Sequence, residues 1–93
     1  MNPPGAAAAR DGLLLLTRPD CGLCEDMLAE LAALRLQHEL PAITLLDVDS
    51  DRELQRRWGL KIPVLLLDEI PVCNARLDAP ALLRALRDRR GAA

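Results

Sequence analysis

Short apolar runs alternate with segments of helical periodicity along the chain. Residues 13–16 form a continuous apolar run between a glycine and the polar turn residues 18–20, which is typical of a strand buried on both faces. Residues 42–48 are β-branched and apolar enough to predict a second buried strand. Two further runs, 64–67 and 70–73, are separated by two polar residues, and this spacing predicts a β-hairpin.

A helical pattern begins after Pro19, at the end of the first predicted strand. This helix should end near His38, because Pro41 disfavours helix in the residue before it. We expect His38 to interact with the helix end. The residues on the core-facing side are Cys24, Met27, Leu28, Leu31 and Leu34.

Two further helices are predicted in the second half of the chain. Ser50 and Glu53 have the spacing of a capping box, so a short helix should begin there, and Gly59 is placed to end it. Asp78 and Pro80 mark the start of the last helix. The short helix turns Leu54 and Trp58 inward; the last helix turns Leu82, Leu83 and Leu86 inward and Arg84, Arg87 and Arg89 outward.

The resulting order of elements is β-α-β-α-β-β-α, an α/β fold with a four-stranded mixed sheet and helices on both faces. The first two strands are joined by a helix and should be parallel, with a right-handed crossover. The last two should pair antiparallel, and Pro71, which lacks a backbone N–H, assigns its strand to a sheet edge. We expect a flexible tail at 1–10 and a single domain over 11–93.

Composition narrows the classes of function. The net charge of −2 gives no reason to expect nucleic acid or an anionic membrane, and Trp58 is the single aromatic residue, so base-stacking platforms are missing. No run approaches the ~18 apolar residues of a membrane span, and residues 1–10 do not resemble a secretory signal. We therefore expect a cytoplasmic monomer with no nucleic-acid or membrane partner. In the cytoplasm, three cysteines indicate catalysis or metal binding rather than a disulfide framework.

Cys21 and Cys24 lie at the junction of the first strand and the first helix. A helix N-terminus presents unpaired N–H groups and partial positive charge, which stabilise a thiolate. We expect Cys21 to be the exposed nucleophile, and Cys24, over the core, to resolve a mixed disulfide. Three nearby carboxylates oppose the thiolate, those of Asp20, Glu25 and Asp26.

Two other interpretations of the cysteine pair stay open, an inert pair and structural zinc. Zinc usually takes four ligands in a tetrahedral array, and only Cys73 and His38 could complete a Cys/His set. His38 would lie about 25 Å from the pair along an unbroken helix. Asp47 and Asp49 could hold a metal after the second strand, but helix capping is the favoured interpretation.

A second motif, KIPV at 61–64, places a proline just before a buried strand. Together with CxxC at a strand–helix junction, this Ile-Pro-Val step resembles the thioredoxin superfamily, and the glutaredoxin branch is the more similar one. The resemblance spans roughly 13–89. It implies a cis Ile62-Pro63 bond, with Pro63 against the cysteine pair. It also implies that the backbone of Ile62 pairs with the cysteine of a bound thiol peptide.

The chain departs from glutaredoxins at two places. Gly22 and Leu23 stand where those proteins usually have Pro-Tyr, and residues 74–78 lack the Gly-Gly pair that lets glutathione approach the backbone. Glutathione is one candidate reductant. Because the standard glutathione motif is missing, the substrate could also be a molecule other than glutathione. The residues expected to contact the substrate are Ile62, Arg18, Asn74, Arg76 and Asp78.

The resemblance implies a thiol–disulfide oxidoreductase that reduces protein or glutathione mixed disulfides. Its catalytic residues would be Cys21, Cys24 and Pro63, with no tightly bound cofactor. Its partners would be a disulfide-containing protein or small thiol, and a reductant, either glutathione or the thioredoxin reductase system. The alternative is a non-catalytic thioredoxin-fold binding module, or an iron–sulfur or metal carrier using Cys21. The presence of Cys24 favours dithiol exchange, because ligation by a single thiolate does not require it.

The third cysteine, Cys73, is expected near the dithiol. Counting back from a two-residue hairpin loop sets Val64 opposite Cys73, so the two share a face. Because Val64 follows Pro63, Cys73 would lie about 10 Å from the pair, too far for a disulfide. It is either a small buried apolar residue or a third redox thiol.

Overall fold

The computed structural model describes residues 12–91, so the tail predicted at 1–10 lies outside the described residues. The elements follow the predicted order, with one 3₁₀ turn added, Val48–Ser50. The strands are β1 (Leu13–Thr17), β2 (Ile43–Asp47), β3 (Val64–Leu67) and β4 (Ile70–Asn74), and the helices are α1 (Gly22–Arg35), α2 (Arg52–Trp58) and α3 (Ala79–Gly91). The predicted α/β fold is confirmed. Within 12–91, no helix is long and apolar enough to cross a membrane.

The four strands form one mixed sheet in the order β2-β1-β3-β4. β1 and β2 are parallel, as predicted for strands joined by a helix, and β3 is antiparallel to both β1 and β4. β4 is therefore an edge strand, which confirms the position predicted from Pro71. β2 forms the other edge, and each of its residues is half-buried or exposed. The prediction that β2 is a buried strand is wrong. β2 has a neighbouring strand on one side only, and the apolar pattern of its sequence does not reveal this position.

Alternating residues of the two central strands pack into hydrophobic clusters on opposite faces of the sheet. The first cluster, between the sheet and helices α1 and α3, contains Leu13, Leu15, Met27, Leu31, Leu40, Leu65, Leu67, Leu82 and Leu86. The second, on the side of α2, contains Leu16, Val48, Val64 and Leu66. β1 and β3 thus contribute to both clusters, which explains their continuous apolar sequences.

The start of α2 differs from the predicted capping box. Asp51 is the N-cap residue, and its carboxylate accepts a hydrogen bond from the backbone N–H of Leu54 at 3.1 Å. Ser50 instead belongs to the 3₁₀ turn and donates its hydroxyl to the carbonyl oxygen of Asp47 at 2.6 Å. The added turn displaces the cap by one residue. Leu54 and Trp58 are half-buried and pack against the second cluster.

The ends of the other two helices lie near their predicted positions. α1 ends at Arg35, and the backbone N–H of His38 donates to the carbonyl oxygen of Leu34 at 3.0 Å just beyond it. Asp78 precedes α3, and its carboxylate accepts from the backbone N–H of Ala81 at 3.0 Å. An acceptor at this place satisfies an N–H that has no partner within the helix.

The hairpin between β3 and β4 turns through Asp68 and Glu69, as predicted. Both have positive φ, 50° and 71°. Positive φ at both central residues is the geometry of a type I′ turn, whose twist matches that of the paired strands. The Asp68 carboxylate pairs with Arg89 at 3.0 Å, which fastens the turn to α3.

Candidate active site

Cys21 and Cys24 lie at the N-terminus of α1 and are joined by a disulfide bond, with their Cα atoms 5.2 Å apart. Cys21 is the N-cap residue and has extended backbone angles, φ −109° and ψ 106°. Its Sγ accepts a hydrogen bond from the backbone N–H of Cys24 at 3.2 Å. The sulfur of Cys21 thus occupies the place that a Ser or Asp side-chain oxygen takes at most helix N-termini.

The two cysteines differ in their access to solvent. Cys24 is 3% exposed, whereas Cys21 is half-buried. Gly22 and Leu23, the residues between them, are exposed, so the chain beside Cys21 is open to solvent. An external thiol or disulfide therefore meets less obstruction at Cys21 than at Cys24. The roles of nucleophile and resolving thiol stay predictions, and this difference in burial is compatible with them.

The peptide bond between Ile62 and Pro63 is cis, as the resemblance implied, and Pro63 is fully buried. Leu16 pairs with Val64, so the start of β3 lies beside the end of β1, the strand that leads to Cys21. The carbonyl oxygen of Pro63 accepts a hydrogen bond from the backbone N–H of Ala75 at 2.8 Å. The cis-proline loop is therefore held against the end of β4.

The side chain of Arg18, which lies between β1 and the dithiol, makes hydrogen bonds with other residues of the protein. Its Nε and one terminal nitrogen contact the carboxylate of Asp49 at 2.7 and 2.9 Å, and its other terminal nitrogen donates to the carbonyl oxygen of Gly59 at 3.3 Å. The Arg18 guanidinium holds the pKa of the Asp49 carboxyl below its ordinary value, and the same hydrogen bond raises the pKa of the guanidinium. The sequence contains no signal for this pair, because its members are separated by 31 positions.

The other residues expected to contact a substrate lie around the end of β4. The side-chain amide of Asn74 donates to the carbonyl oxygen of Lys61 at 3.4 Å, and Asp78 caps α3. Ile62 packs against the second cluster. The cavity that Arg76 helps to line has a volume of about 160 Å³; its other lining residues are Leu23, Asp26, Glu30 and Ala75. Because Leu23 lies between the two cysteines, this cavity adjoins the dithiol segment. Arg18 does not line the cavity and pairs with Asp49 instead.

Cys73 does not lie opposite Val64, so that prediction is wrong. The pairing of β3 with β4 is irregular, and Val72 is an extra residue that sets Leu65 opposite Cys73 and Val64 opposite Asn74. Cys73 therefore faces the first cluster, against which it packs. It is a half-buried free thiol. Burial is the main cause that raises the pKa of its thiol above the ordinary value.

Within residues 12–91, no three His, Cys, Asp or Glu side chains are grouped closely enough to hold a metal ion. Asp47 caps the 3₁₀ turn, where its carboxylate accepts from the backbone N–H of Asp49 at 2.8 Å. His38 lies beyond the far end of α1, where it lines a cavity of about 640 Å³ with residues of α3. No cysteine lines that cavity.

Comparison with known proteins identifies the family of this chain. Residues 12–87 match the model of a family described as Glutaredoxin-like domain (DUF836). The chain belongs to this family. Its membership confirms the resemblance that the CxxC and Ile-Pro-Val motifs indicated. A search of curated protein sequences found no significant match to this glutaredoxin-like chain.

Two solved structures are similar to this glutaredoxin-like domain. The solution NMR structure of protein Ne2328 from Nitrosomonas europaea has a TM-score of 0.72 and 26% sequence identity, and the match covers 80% of this chain and 88% of that one. The X-ray structure of target protein XcR50 from X. campestris has a TM-score of 0.60 and 32% identity, covering 82% and 96%. Both comparisons support the thioredoxin-like fold.

Proposed function

We propose that this glutaredoxin-like protein is a thiol–disulfide oxidoreductase that uses Cys21 and Cys24 as its redox pair. The observation that carries the proposal is the position of Cys21 at the N-cap of α1, where its sulfur accepts the backbone N–H of Cys24 at 3.2 Å. A thiolate formed there by reduction keeps this donor and the favourable end of the helix dipole. Because the partner cysteine is 3% exposed, the two thiols are suited to different steps.

In the first step the Cys21 thiolate attacks one sulfur of a substrate disulfide. A bond forms between the two sulfurs, the substrate S–S bond breaks, and the other substrate thiolate leaves and takes a proton from water. In the second step Cys24 gives its proton to water and its thiolate attacks Sγ of Cys21, breaking the bond between Cys21 and the substrate sulfur. The Cys21–Cys24 disulfide forms and the second substrate thiol is released, so two electrons have passed to the substrate.

The oxidised pair must then be reduced by a thiol donor. Two glutathione molecules would return it to the dithiol and form glutathione disulfide; alternatively, the thioredoxin reductase system would supply the electrons from NADPH. We propose no tightly bound cofactor. The substrate is a disulfide-containing protein or a small mixed disulfide, and the cellular setting is the cytoplasm, with the protein acting as a monomer without nucleic acid or membrane.

The substrate is proposed to approach across the cis-proline loop, where the backbone of Ile62 would pair with the substrate chain. Arg76 and its cavity of about 160 Å³, which Leu23 also lines, offer side-chain contacts beside the dithiol segment. Asn74 and Asp78 hold adjacent loops through their hydrogen bonds. The carboxylates of Asp26 and Glu30 line the same cavity, so an anionic substrate group there would meet two negative charges and one positive charge.

A coupled turnover assay tests the proposal. The reduced protein is supplied with a small disulfide or a protein disulfide, and NADPH consumption is followed with glutathione and glutathione reductase in one arm and with thioredoxin reductase in the other. We expect turnover in at least one arm and its loss in Cys21→Ser. Turnover equal to that of Cys21→Ser in both arms would reject the catalytic function and favour a binding module.

A further inference from the structure

Arg18 connects two loops that flank the candidate active site. It lies in the loop between β1 and the dithiol, and it donates to the carbonyl oxygen of Gly59, at the end of α2, at 3.3 Å. Its contacts with the Asp49 carboxylate, at 2.7 and 2.9 Å, use two different guanidinium nitrogens. Two parallel N–H donors fix the orientation of the guanidinium as well as its distance.

The carboxylate that receives Arg18 is itself held in place. The backbone N–H of Asp49 donates to the side chain of Asp47 at 2.8 Å, and the side-chain amide of Gln55 donates to Asp49 Oδ1 at 3.0 Å. Asp49 is thereby anchored both to the end of β2 and to α2. Arg18 and Asp49 have side chains 37% and 35% exposed, so water screens their attraction only in part.

Gly59, whose carbonyl oxygen accepts the hydrogen bond from Arg18, begins the turn that leads to the cis-proline. The backbone N–H of Gly59 donates to the carbonyl oxygen of Gln55, and that of Lys61 donates to the carbonyl oxygen of Trp58, both at 2.8 Å. This tight turn ends two residues before Pro63. Movement of Gly59 would therefore displace the segment that presents Ile62 and Pro63.

We propose that Arg18 is a positioning residue, which with Asp49 holds the loop of Cys21 in register with the loop of Pro63. This inference rests on the proposed oxidoreductase function for its effect on catalysis. The edge of the guanidinium formed by Nε and one terminal nitrogen binds Asp49, and the other terminal nitrogen donates to the carbonyl oxygen of Gly59. Arg18 therefore acts on the reaction through the relative placement of the two loops, in place of the substrate contact expected from the sequence.

The test uses five variants of the full chain, one of which is the double variant Arg18→Gln/Asp49→Asn. Arg18→Gln and Asp49→Asn each remove the ion pair between Arg18 and Asp49, and Arg18→Lys keeps the charge but cannot donate from two nitrogens to one carboxylate. The matched control is Arg56→Gln, which removes an Arg–carboxylate pair with Glu53 on the exposed side of α2. The measurements are amide hydrogen exchange by NMR, kcat/KM with a protein disulfide, and the alkylation rate of Cys21 in the reduced protein.

We expect the amides of Lys61 and Ala75, which flank the cis-proline loop, to exchange about fivefold faster in Arg18→Gln and Asp49→Asn. We also expect kcat/KM to fall about fivefold in both, with no further fall in the double variant, because the two residues act as one unit. Arg18→Lys should fall between these variants and the wild type. Alkylation of Cys21 should stay within about twofold of wild type, since the helix N-terminus is intact.

Loss of general stability would produce a different result, with faster exchange throughout the sheet and new alkylation of Cys24 and Cys73. That result would overturn the positioning role. So would unchanged exchange at Lys61 and Ala75, and so would full activity in Arg18→Lys. Absence of turnover in the wild type would reject the oxidoreductase function, and amide exchange would still decide whether Arg18 holds the two loops together.

Discussion

The backbone N–H of Cys24 donates to Sγ of Cys21 at 3.2 Å, so the sulfur of the first cysteine serves as the side-chain cap of the helix that carries the second. The bond requires only the sulfur of Cys21 and the peptide of Cys24, and it can therefore persist when the disulfide is reduced. A thiolate is a stronger acceptor than a thiol, so reduction with loss of a proton should strengthen the cap.

We expect limiting iodoacetamide near neutral pH to label Cys21 first in the reduced protein. Cys21 is half-buried and capped by an N–H donor, Cys24 is 3% exposed, and burial raises the pKa of the Cys73 thiol. Peptide mapping by mass spectrometry identifies the labelled residue. Preferential labelling of Cys24 or Cys73 would contradict the assignment of the nucleophile.

Replacement of Cys73 by Ser should leave disulfide-reductase turnover unchanged. The extra residue in β4 sets Cys73 opposite Leu65 and against the first cluster, so its thiol packs as a small apolar group. The free energy of unfolding should fall slightly, because a hydroxyl is less favourable than a thiol among leucines. The parallel turnover assay of Cys73→Ser and wild type decides this point, since a clear loss of turnover would assign Cys73 a redox role.

The features that follow from local rules could be predicted from the sequence. The hairpin follows from two apolar runs around Asp68 and Glu69, and the start of α3 follows from Asp78. The cis bond before Pro63 followed from the family resemblance, since the residues alone do not distinguish cis from trans. The hairpin and the start of α3 depend on a few neighbouring residues, so a single sequence is sufficient to locate them.

The features that depend on distant partners could not be predicted. The extra residue at Val72 changes the face on which Cys73 lies, and nothing in the apolar run 70–73 signals it. β2 is an edge strand because β3 pairs with the opposite side of β1, which the pattern of β2 does not contain. The sequence favours helix capping for Asp49, whereas its carboxylate accepts hydrogen bonds from Arg18, 31 positions away.

Two glycine substitutions should have opposite effects on stability. A Cβ at Gly59 would lie 2.4 Å from the backbone oxygen of Gln55, so Gly59→Ala must displace the end of α2 and should destabilise the protein by about 1–3 kcal/mol. A Cβ at Gly22 would meet nothing within 4 Å. Gly22→Ala should therefore be neutral or stabilising by up to about 1 kcal/mol. Urea unfolding of both variants measures the difference, and equal stabilities would contradict the close approach at Gly59.

The stabilising effect of Asp49 should depend on pH. Its folded-state pKa lies below the ordinary value of 3.8, chiefly because of the hydrogen bond from Arg18, so folding favours the ionised carboxyl. The contribution is complete above the unfolded pKa and is lost as the pH falls through the folded pKa. Asp49→Asn should therefore lower the urea midpoint at pH 6–7 but progressively less below about pH 4. A difference that is constant from pH 7 to pH 2.5 would contradict this ion pair, and Glu53→Gln is the control for an exposed pair.

The most direct test of the dithiol mechanism is the trapping of its mixed disulfide. The reduced Cys24→Ser variant is mixed with 2-hydroxyethyl disulfide, a small uncharged substrate that needs no glutathione site, and the adduct is mapped by mass spectrometry. We expect a mercaptoethanol adduct on Cys21 that accumulates in Cys24→Ser, is absent from Cys21→Ser, and does not persist in the wild type, where Cys24 resolves it. An adduct on Cys73 alone, or an adduct on Cys21 that persists equally in the wild type, would contradict the dithiol mechanism.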